Sequence, residues 1–470
     1  MGKYLNPGNE AFAEIIEGNY IDKTGLIDLI NNSINKPEKL MCLSRPRRFG
    51  KSYTAQMLCA YYDCSCDSHF LFDQYKISKA ESYRKHLNQY NVIVIDVTGF
   101  ISTVKQSDGM LKLSGVPGMI AKDLRNDLIE VYPELSRFIT VENCLLQFVE
   151  KSGKKIVFII DEWDALIREA KDDHKTQEAY LNLLRGLFKN ANVTPKVVAA
   201  AYMTGILPIK KDGSQSAISN FREYSMIKPR KFGEYVGFTE EEVRKLCDEN
   251  NISFDSMKQW YDGYDFKDVG AVYNPNSVMQ AIDNGDFDSY WTETSAAEGL
   301  MEYISKPYNG LSKTIAELIG GVDVTVNTNG FANDLVTFKG KDDVLTLMIH
   351  LGYLAYNSES KTVYIPNEEI KLEFQKSIRE VNHKETLKRL EESEKLFIDT
   401  IHGNEEAVAR QIEKIHGEET APLHYNKEES LRSVIKLAYY TYRDHYLQWE
   451  ELPVGEGYAD VVYLPKHNSD

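Results

Sequence analysis

The stretch Ser44-Arg-Pro-Arg-Arg-Phe-Gly-Lys-Ser52 carries the residue types and spacing that hold a polyphosphate. Gly50-Lys51-Ser52 opens a helical pattern soon after an apolar run. The first amides of a helix have no intrahelical acceptor, and its dipole puts positive charge at the same end. An anion binds readily there, and a lysine beside it adds a full charge. The spacing predicts that Lys51 reaches the β- and γ-phosphates of a nucleotide and that the Ser52 hydroxyl joins a Mg2+ ion. Arg47, Arg48, Phe49, Gly50 and Tyr53 are expected to line the nucleotide with them. Arg45 stands where the strict G-x-x-x-x-G-K-[ST] pattern has its first glycine, a departure because the usual turn exploits a residue without a Cβ.

A second chemical group follows the apolar run Ile156–Ile160, namely Asp161-Glu162-Trp163-Asp164. Carboxylates at the C-terminal edge of a buried strand stand where open α/β sheets bind ligands. Asp161 is expected to hold a magnesium-bound water, and Glu162 to polarise the water that attacks a γ-phosphate. Lys51 and Glu162 are thus the candidate catalytic residues, with Ser52 and Asp161 at the metal. The competing reading is an acidic strand end that caps the next helix, with Asp164 as the capper. A third run, Val197–Met203, ends at Thr204-Gly205. Thr204 either senses a γ-phosphate or belongs to a plain strand-ending turn. Arg45, Arg47, Arg48 and Arg222 are candidate phosphate or inter-subunit arginines, set against the commoner fate of arginine in surface ion pairs.

Other chemistries find less support. The sequence has no G-x-S-x-G elbow and no H-E-x-x-H, and its 10 histidines are scattered without ligand spacing. Cys64-Ser-Cys66, with Cys59 and His69 nearby, lacks the second cysteine pair of a structural zinc site, and no metal role is assigned to it. The aromatic group Trp260-Tyr-Asp-Gly-Tyr-Asp-Phe266 reads as a core or interface cluster ahead of a base-stacking platform.

The elements that must position these residues alternate in the first half. Leu40–Leu43, Val92–Val97, Ile156–Ile160, Val197–Met203 and Tyr224–Ile227 read as strands, nearly all continuously apolar, as strands buried on both faces should be. Helical patterns such as Lys51–Tyr62 and Gln177–Phe188 lie between them, the signature of a mostly parallel sheet covered by helices. Thr239-Glu-Glu-Glu242 has capping-box spacing, and the chain from there to about Asp286 is expected to be mainly helical, without a further buried strand. Val344–Leu351, a hairpin of Tyr353–Tyr356 and Thr362–Ile365, and Glu368–Val381 suggest a winged-helix-like unit. Charged helices from about His383 to Ile415 and Glu428 to Asp444 precede a hairpin of Leu447–Leu452 and Ala459–Leu464.

Composition bounds the rest. The 470 residues are 42% hydrophobic and 27% charged, an ordinary folding composition with room for roughly two to four domains. The formal net charge of −16 argues against broad affinity for nucleic acid or anionic membrane, because most of the surface field repels phosphate. No apolar run approaches the ~20 residues that cross a bilayer, and the start lacks a signal-peptide core. A soluble cytoplasmic protein is the expectation.

These stretches together resemble the AAA-ATPase-like proteins of gut and anaerobic bacteria that carry a C-terminal PD-(D/E)XK nuclease-like domain. The resemblance rests on Tyr20-Ile-Asp-Lys-Thr24, the arginine-rich loop through Ser52, Phe158-Ile-Ile-Asp-Glu162 and Gly237-Phe-Thr-Glu-Glu-Glu-Val243. It continues through Trp260-Tyr-Asp-Gly-Tyr264, Tyr273-Asn-Pro275, Gly352-Tyr-Leu354, Ile365-Pro-Asn-Glu368, Tyr425-Asn-Lys-Glu-Glu-Ser-Leu431 and Gly457-Tyr-Ala-Asp-Val-Val-Tyr-Leu-Pro465. The arginine-rich loop is the family's own form, which removes most of the objection raised by Arg45. By resemblance, Glu428 matches the helix acid of the nuclease fold and Asp460 the first strand's metal-binding aspartate. The family pattern next requires a strand bearing Glu-x-Lys, and the sequence ends at Asp470 before one. The nuclease-like part is therefore expected to be truncated and inactive.

The resulting expectation is an α/β chain with ATP and Mg2+ as its ligands. A P-loop NTPase domain (1–235) precedes a helical lid (236–310), a winged-helix-like region (311–382) and a partial α+β nuclease-like domain (383–470). ATP binding and hydrolysis would act as a switch on the C-terminal region; besides ATP, an unidentified protein is the partner expected, and nucleic acid and membrane are not. The alternatives are a non-hydrolysing nucleotide-binding interaction protein, or an ATPase-regulated DNA nuclease in a longer form.

Overall fold

The computed structural model describes residues 2–107, 109, 111–209, 211–212, 215–216, 218–291, 302–381, 384–419, 435, 438–439, 446–454 and 457–465. Its centre is a five-stranded parallel sheet of β1 (Leu40–Ser44), β2 (Asn91–Asp96), β3 (Ile156–Asp161), β4 (Val198–Gly205) and β5 (Arg222–Tyr224), in the order β2-β3-β4-β1-β5. Every residue of β1 and β4 is buried, as is β3 up to Ile160. Successive side chains of a strand point to opposite faces, and both faces are covered. Met41, Leu43, Ile159 and Tyr202 pack on one side with Met57 and Leu58 of the Lys51–Tyr62 helix. Cys42, Phe158, Ile160 and Met203 pack on the other with Leu124, Phe148 and Leu184 from the helices Val116–Val131, Val141–Ser152 and His174–Phe188.

The parallel register lines up the strand ends. Ser44 lies opposite Gly205, Leu43 opposite Thr204, Ile160 opposite Met203, and Asp161 opposite Asp96. The residues singled out for chemistry after β1, β3 and β4 therefore share one edge of the sheet. β4 sits between β1 and β3, so Thr204 stands between the loop that follows β1 and the acidic pair.

The 239–286 region differs from the expected run of helices. Thr239 does form a capping box with Glu242 at the start of the helix Glu240–Asn250. A small antiparallel sheet brackets that helix in sequence, however, made of β6 (Phe238–Thr239), β7 (Tyr264–Phe266) and β8 (Gly270–Tyr273) in the order β6-β8-β7. Gly263 and Gly270 hold positive φ, which stops helical propagation, and the aromatic and β-branched residues beside them favour a pleated surface. Tyr261, Tyr264 and Phe266 are buried, so the aromatic cluster belongs to the core.

A third sheet joins β9 (Val324–Thr325), β10 (Ala355–Asn357) and β11 (Thr362–Tyr364) in the order β9-β11-β10. It lies in sequence among the helices Leu311–Ile319, Lys341–Leu351 and Glu368–Val381. Helices Lys384–Ile401 and Glu405–Glu419 come next, and β12 (Tyr446–Val454) pairs with β13 (Gly457–Pro465) as an antiparallel hairpin. Glu428 lies outside the described residues, as does most of the helix expected around it. Asp460 falls on β13, and its side chain is outside what is described. Among the described residues no helix is long and apolar enough to cross a membrane.

Candidate nucleotide site

The loop that leaves β1 is anchored before it turns. Arg45 donates its amide to the Gly205 carbonyl at 3.0 Å, and the Ser44 hydroxyl donates to the Leu207 carbonyl at 2.9 Å. The left-handed positions of the loop are Arg48, at φ 64°, and Gly50, at φ 86°. Glycine is thus used at the entry to the helix, while position 45 makes no such demand. This is the physical reason that an arginine is tolerated there.

Arg45 does not serve phosphate. Its side chain is wholly buried, Nη1 donates to the Ser44 carbonyl at 2.9 Å, and the guanidinium lies 4.9 Å from the centre of the Phe266 ring. Burial lowers its pKa to about 10. Arg222 pairs with Glu38 at 2.9 Å on the surface. Arg47 and Arg48 are exposed at the mouth of the site.

Lys51 begins the helix and is buried. Its ammonium lies 2.8 Å from the Pro46 carbonyl, 3.2 Å from that of Arg45, and 3.3 Å from Glu162 Oε1. The Ser52 hydroxyl donates to Asp161 Oδ2 at 2.5 Å. Asp161 Oδ1 accepts from the Thr204 hydroxyl and, at 3.1 Å, from the Glu162 amide. Burial raises the Asp161 carboxyl above the usual aspartate range, although the Ser52 and Thr204 hydroxyls act against that shift. Burial pushes Glu162 the same way, but the Lys51 and Arg168 charges outweigh it and its pKa is lowered. Glu162 is held at φ 50°, a conformation that costs a residue with a Cβ.

Asp164 is not the helix capper of the competing reading. It occupies the position before the helix Ala165–Glu169, yet its carboxylate makes no capping bond. Instead it is fully buried and accepts from the Ile206 amide at 3.2 Å, the Leu207 amide at 2.9 Å and Arg168 Nε at 3.0 Å. Gly205 leaves the space for this, because a Cβ there would come within 2.7 Å of Asp164 Oδ1. Trp163 donates its amide to the Thr204 carbonyl at 2.8 Å, which ties the ends of β3 and β4 together.

In front of these residues lies a cavity of about 660 Å3. Arg47, Arg48, Phe49, Gly50, Lys51, Ser52, Tyr53 and Glu162 line it, whereas Asp161 stands behind Ser52 and Thr204 behind Asp161. The opposite wall comes from residues to which sequence reasoning gave no role, chiefly Ile15, Tyr20, Ile21, Phe238 and Met279. The motif Tyr20-Ile-Asp-Lys-Thr24 was the available signal. Lys23 closes that wall, with its ammonium 2.5 Å from Glu242 Oε2 and 2.8 Å from the Glu234 carbonyl. Burial lowers the Lys23 pKa, partly offset by Glu242.

The oxygen set fits a hard divalent cation. Mg2+ is usually held by one or two protein oxygens plus substrate phosphates and waters, and the touching Ser52 hydroxyl and Asp161 carboxylate are of that kind. Among the described residues no group of three or more His, Cys, Asp or Glu side chains forms a self-sufficient metal cage. An ion here would therefore depend on the phosphates it accompanies.

Residues 7–214 match the sequence family described as "Predicted AAA-ATPase", AAA-ATPase-like. The chain is also 24% identical over 324 residues to an uncharacterised protein in the vnfD 5′ region of Azotobacter chroococcum. That match takes in 65% of this chain and 56% of the relative, so the chain spans little more than half the relative's length. The Aeropyrum pernix ORC2 protein, solved in ADPNP and ADP complexes, aligns over 77% of this chain and 97% of its own, with 9% identity and a TM-score of 0.27. The five-stranded parallel sheet, with the Gly50-Lys51-Ser52 loop after β1 and an acidic pair at the end of β3, is consistent with a P-loop NTPase fold. Over residues 7–214 the chain is thus similar to this AAA-ATPase-like family.

Proposed function

We propose that the chain binds Mg-ATP in the cavity between the Arg47–Thr54 loop and the Tyr20 wall, and hydrolyses it. The observation that carries this reading is the meeting of Lys51 with Glu162 and of Ser52 with Asp161 at one end of that cavity. In this reading Lys51 takes the β- and γ-phosphates, Ser52 and Asp161 hold Mg2+, and Glu162 accepts a proton from the attacking water. Bound Mg2+ would supply charge neutralisation at the phosphates. The apolar wall of Ile15, Tyr20 and Met279 suits the base of the nucleotide. Thr204 reaches the phosphates only through Asp161, so its role is to orient that carboxylate.

The same reading makes the nucleotide a switch on the rest of the chain. Lys23 bonds Glu242 of the 240–250 helix, Phe49 packs edge-on against Tyr264 at 5.5 Å, and Pro46 abuts Gly352. A shift of the loop on nucleotide binding therefore presses directly on residues beyond 236.

Equilibrium titration with ATP, with and without Mg2+, tests the proposal. Lys51→Ala that binds ATP as the wild type does would overturn the loop assignment. Glu162→Gln should keep binding and lose about a hundredfold in turnover. A second reading, a nucleotide-binding interaction protein without turnover, is favoured by one feature, the pairing of both Glu162 oxygens with cations. Tight ATP binding with no phosphate release by the wild type would select it.

A further inference from the structure

The helix after the acidic turn carries a cation that the hydrolytic reading does not use. Arg168 is largely buried on the helix Ala165–Glu169, and its guanidinium contacts two carboxylates with two different nitrogens. Nη2 lies 2.7 Å from Glu162 Oε2, and Nε lies 3.0 Å from Asp164 Oδ2. Asp164 is itself fixed from behind by the Ile206 and Leu207 amides. The guanidinium is therefore aimed by an anchored group, and a planar fork held at one nitrogen has little freedom at the other.

Glu162 needs such support. Its backbone is left-handed at φ 50°, so the turn alone disfavours the conformation that carries its side chain. Its two oxygens have unequal partners. Oε1 faces Lys51 at 3.3 Å, and Oε2 faces Arg168 at 2.7 Å. The charges of Arg47 and Asp161 also act on the carboxylate. Lys51 is the group that incoming phosphates would engage, whereas Arg168 remains tied to Asp164.

We propose that Arg168 is a positioning residue, which holds Glu162 by Oε2 so that Oε1 is left to the attacking water once phosphate engages Lys51. The inference rests on the hydrolytic reading above. In that step the water oxygen bonds to the γ-phosphorus while the bond from phosphorus to the β,γ-bridging oxygen breaks. The electron pair leaves with ADP, and the water proton passes to Glu162 Oε1. Arg168 touches neither the water nor the phosphates. Loss of its bond to Glu162 should therefore lower kcat and leave nucleotide affinity in place, the signature of an interaction used only in the transition state.

Arg168→Ala strands the buried Asp164 carboxylate and risks the fold, so Arg168→Lys is the principal variant. A lysine keeps the positive charge beside Asp164 but has no second nitrogen to span to Glu162. The experiment measures the dissociation constant of a fluorescent ATP analogue and steady-state kcat for wild type, Arg168→Lys, Glu162→Gln and the double variant. Expected are a dissociation constant for Arg168→Lys within about threefold of wild type and a kcat reduced about tenfold or more. On the Glu162→Gln background the same change should cost nothing further, because the two residues act as one unit. Where Arg168→Ala folds, millimolar guanidinium should restore part of its turnover.

The inference is overturned if Arg168→Lys leaves kcat unchanged, if it weakens kcat and affinity together, or if its effect persists in full on the Glu162→Gln background. Failure of the hydrolytic reading shows separately, as a wild-type protein that binds ATP and releases no phosphate. That result overturns the inference with it.

Discussion

The Ser52 hydroxyl donates to Asp161 Oδ2 at 2.5 Å, joining two residues that are 109 positions apart in the chain. The bond sets one oxygen of the Lys51–Tyr62 helix beside one of the β3 edge, and in the proposed reading a single small cation meets both. Ser52→Ala should bind ATP without Mg2+ as the wild type does. It should lose about a tenfold Mg2+-dependent gain in affinity, seen as superimposed titrations with and without the metal.

Lys51 has three oxygen neighbours, the Pro46 and Arg45 carbonyls and Glu162. Lys51→Met removes the charge while keeping most of the side-chain volume. Thermal unfolding with ATP should then lack the ligand-dependent rise in melting temperature that the proposed binding predicts for wild type, because that rise follows the ratio of ligand concentration to dissociation constant.

The Lys23–Glu242 pair fastens the cavity wall to the capping box of the Glu240–Asn250 helix. Glu242→Ala removes the acid from both, leaving Lys23 largely buried and the Thr239 amide without its acceptor. Denaturant unfolding should register a loss of roughly 3 kcal/mol. Replacing both partners, Lys23→Met with Glu242→Ala, should cost less than the single change.

Glu369 is buried and accepts from the Ser277 hydroxyl and from the Tyr290 amide at 2.9 Å. Burial raises its pKa to about 8 from an ordinary 4.5, with the neighbouring Glu373 charge adding to the shift. The folded protein keeps a proton that the unfolded chain releases between those values. Stability is therefore full below the unfolded pKa, falls as pH rises through the window, and levels off above the folded pKa. The slope is at most about 1.4 kcal/mol per pH unit. Glu369→Gln should flatten it, as followed by urea unfolding at a series of pH values.

Gly352 has φ 89°, and a Cβ there would come within 2.8 Å of both Pro46 Cγ and Trp291 Cη2. Gly352→Ala should destabilise the fold by roughly 1–2 kcal/mol through backbone strain alone. It should also weaken ATP binding, because Pro46 supplies a carbonyl that holds Lys51. Unchanged nucleotide affinity in a folded Gly352→Ala protein would disprove the proposed link between the loop and the C-terminal region.

Much of the central sheet was legible because its signals are local. Leu40–Leu43 and Ile156–Ile160 are short continuous apolar runs, and Gly50-Lys51-Ser52 starts a helix where the pattern says one should start. The capping box at Thr239 is equally local, since both partners lie within four residues. The strands β7 and β8 were missed because Trp260–Phe266 reads as part of a helix until Gly263 interrupts it, and their pairing compensates only in three dimensions. The competing reading of Asp164 as a capper fails for a related reason. Its position before a helix is visible in sequence, but its true partners, the amides of residues 206 and 207, belong to another strand's end.

Residue types and spacing were enough to single out the candidate phosphate and metal residues, and the elements that carry them. A loop after one apolar strand and a carboxylate pair after another follow from residue type and spacing alone. Tertiary structure decided which of them meet. Parallel pairing of β1 and β3 with β4 sets Ser44, Thr204 and Asp161 at one edge, and only then can Ser52 reach Asp161. It also decided that Arg45 is buried while Arg168 reaches Glu162. Those choices depend on side chains packed from distant segments, which no local pattern of residues encodes.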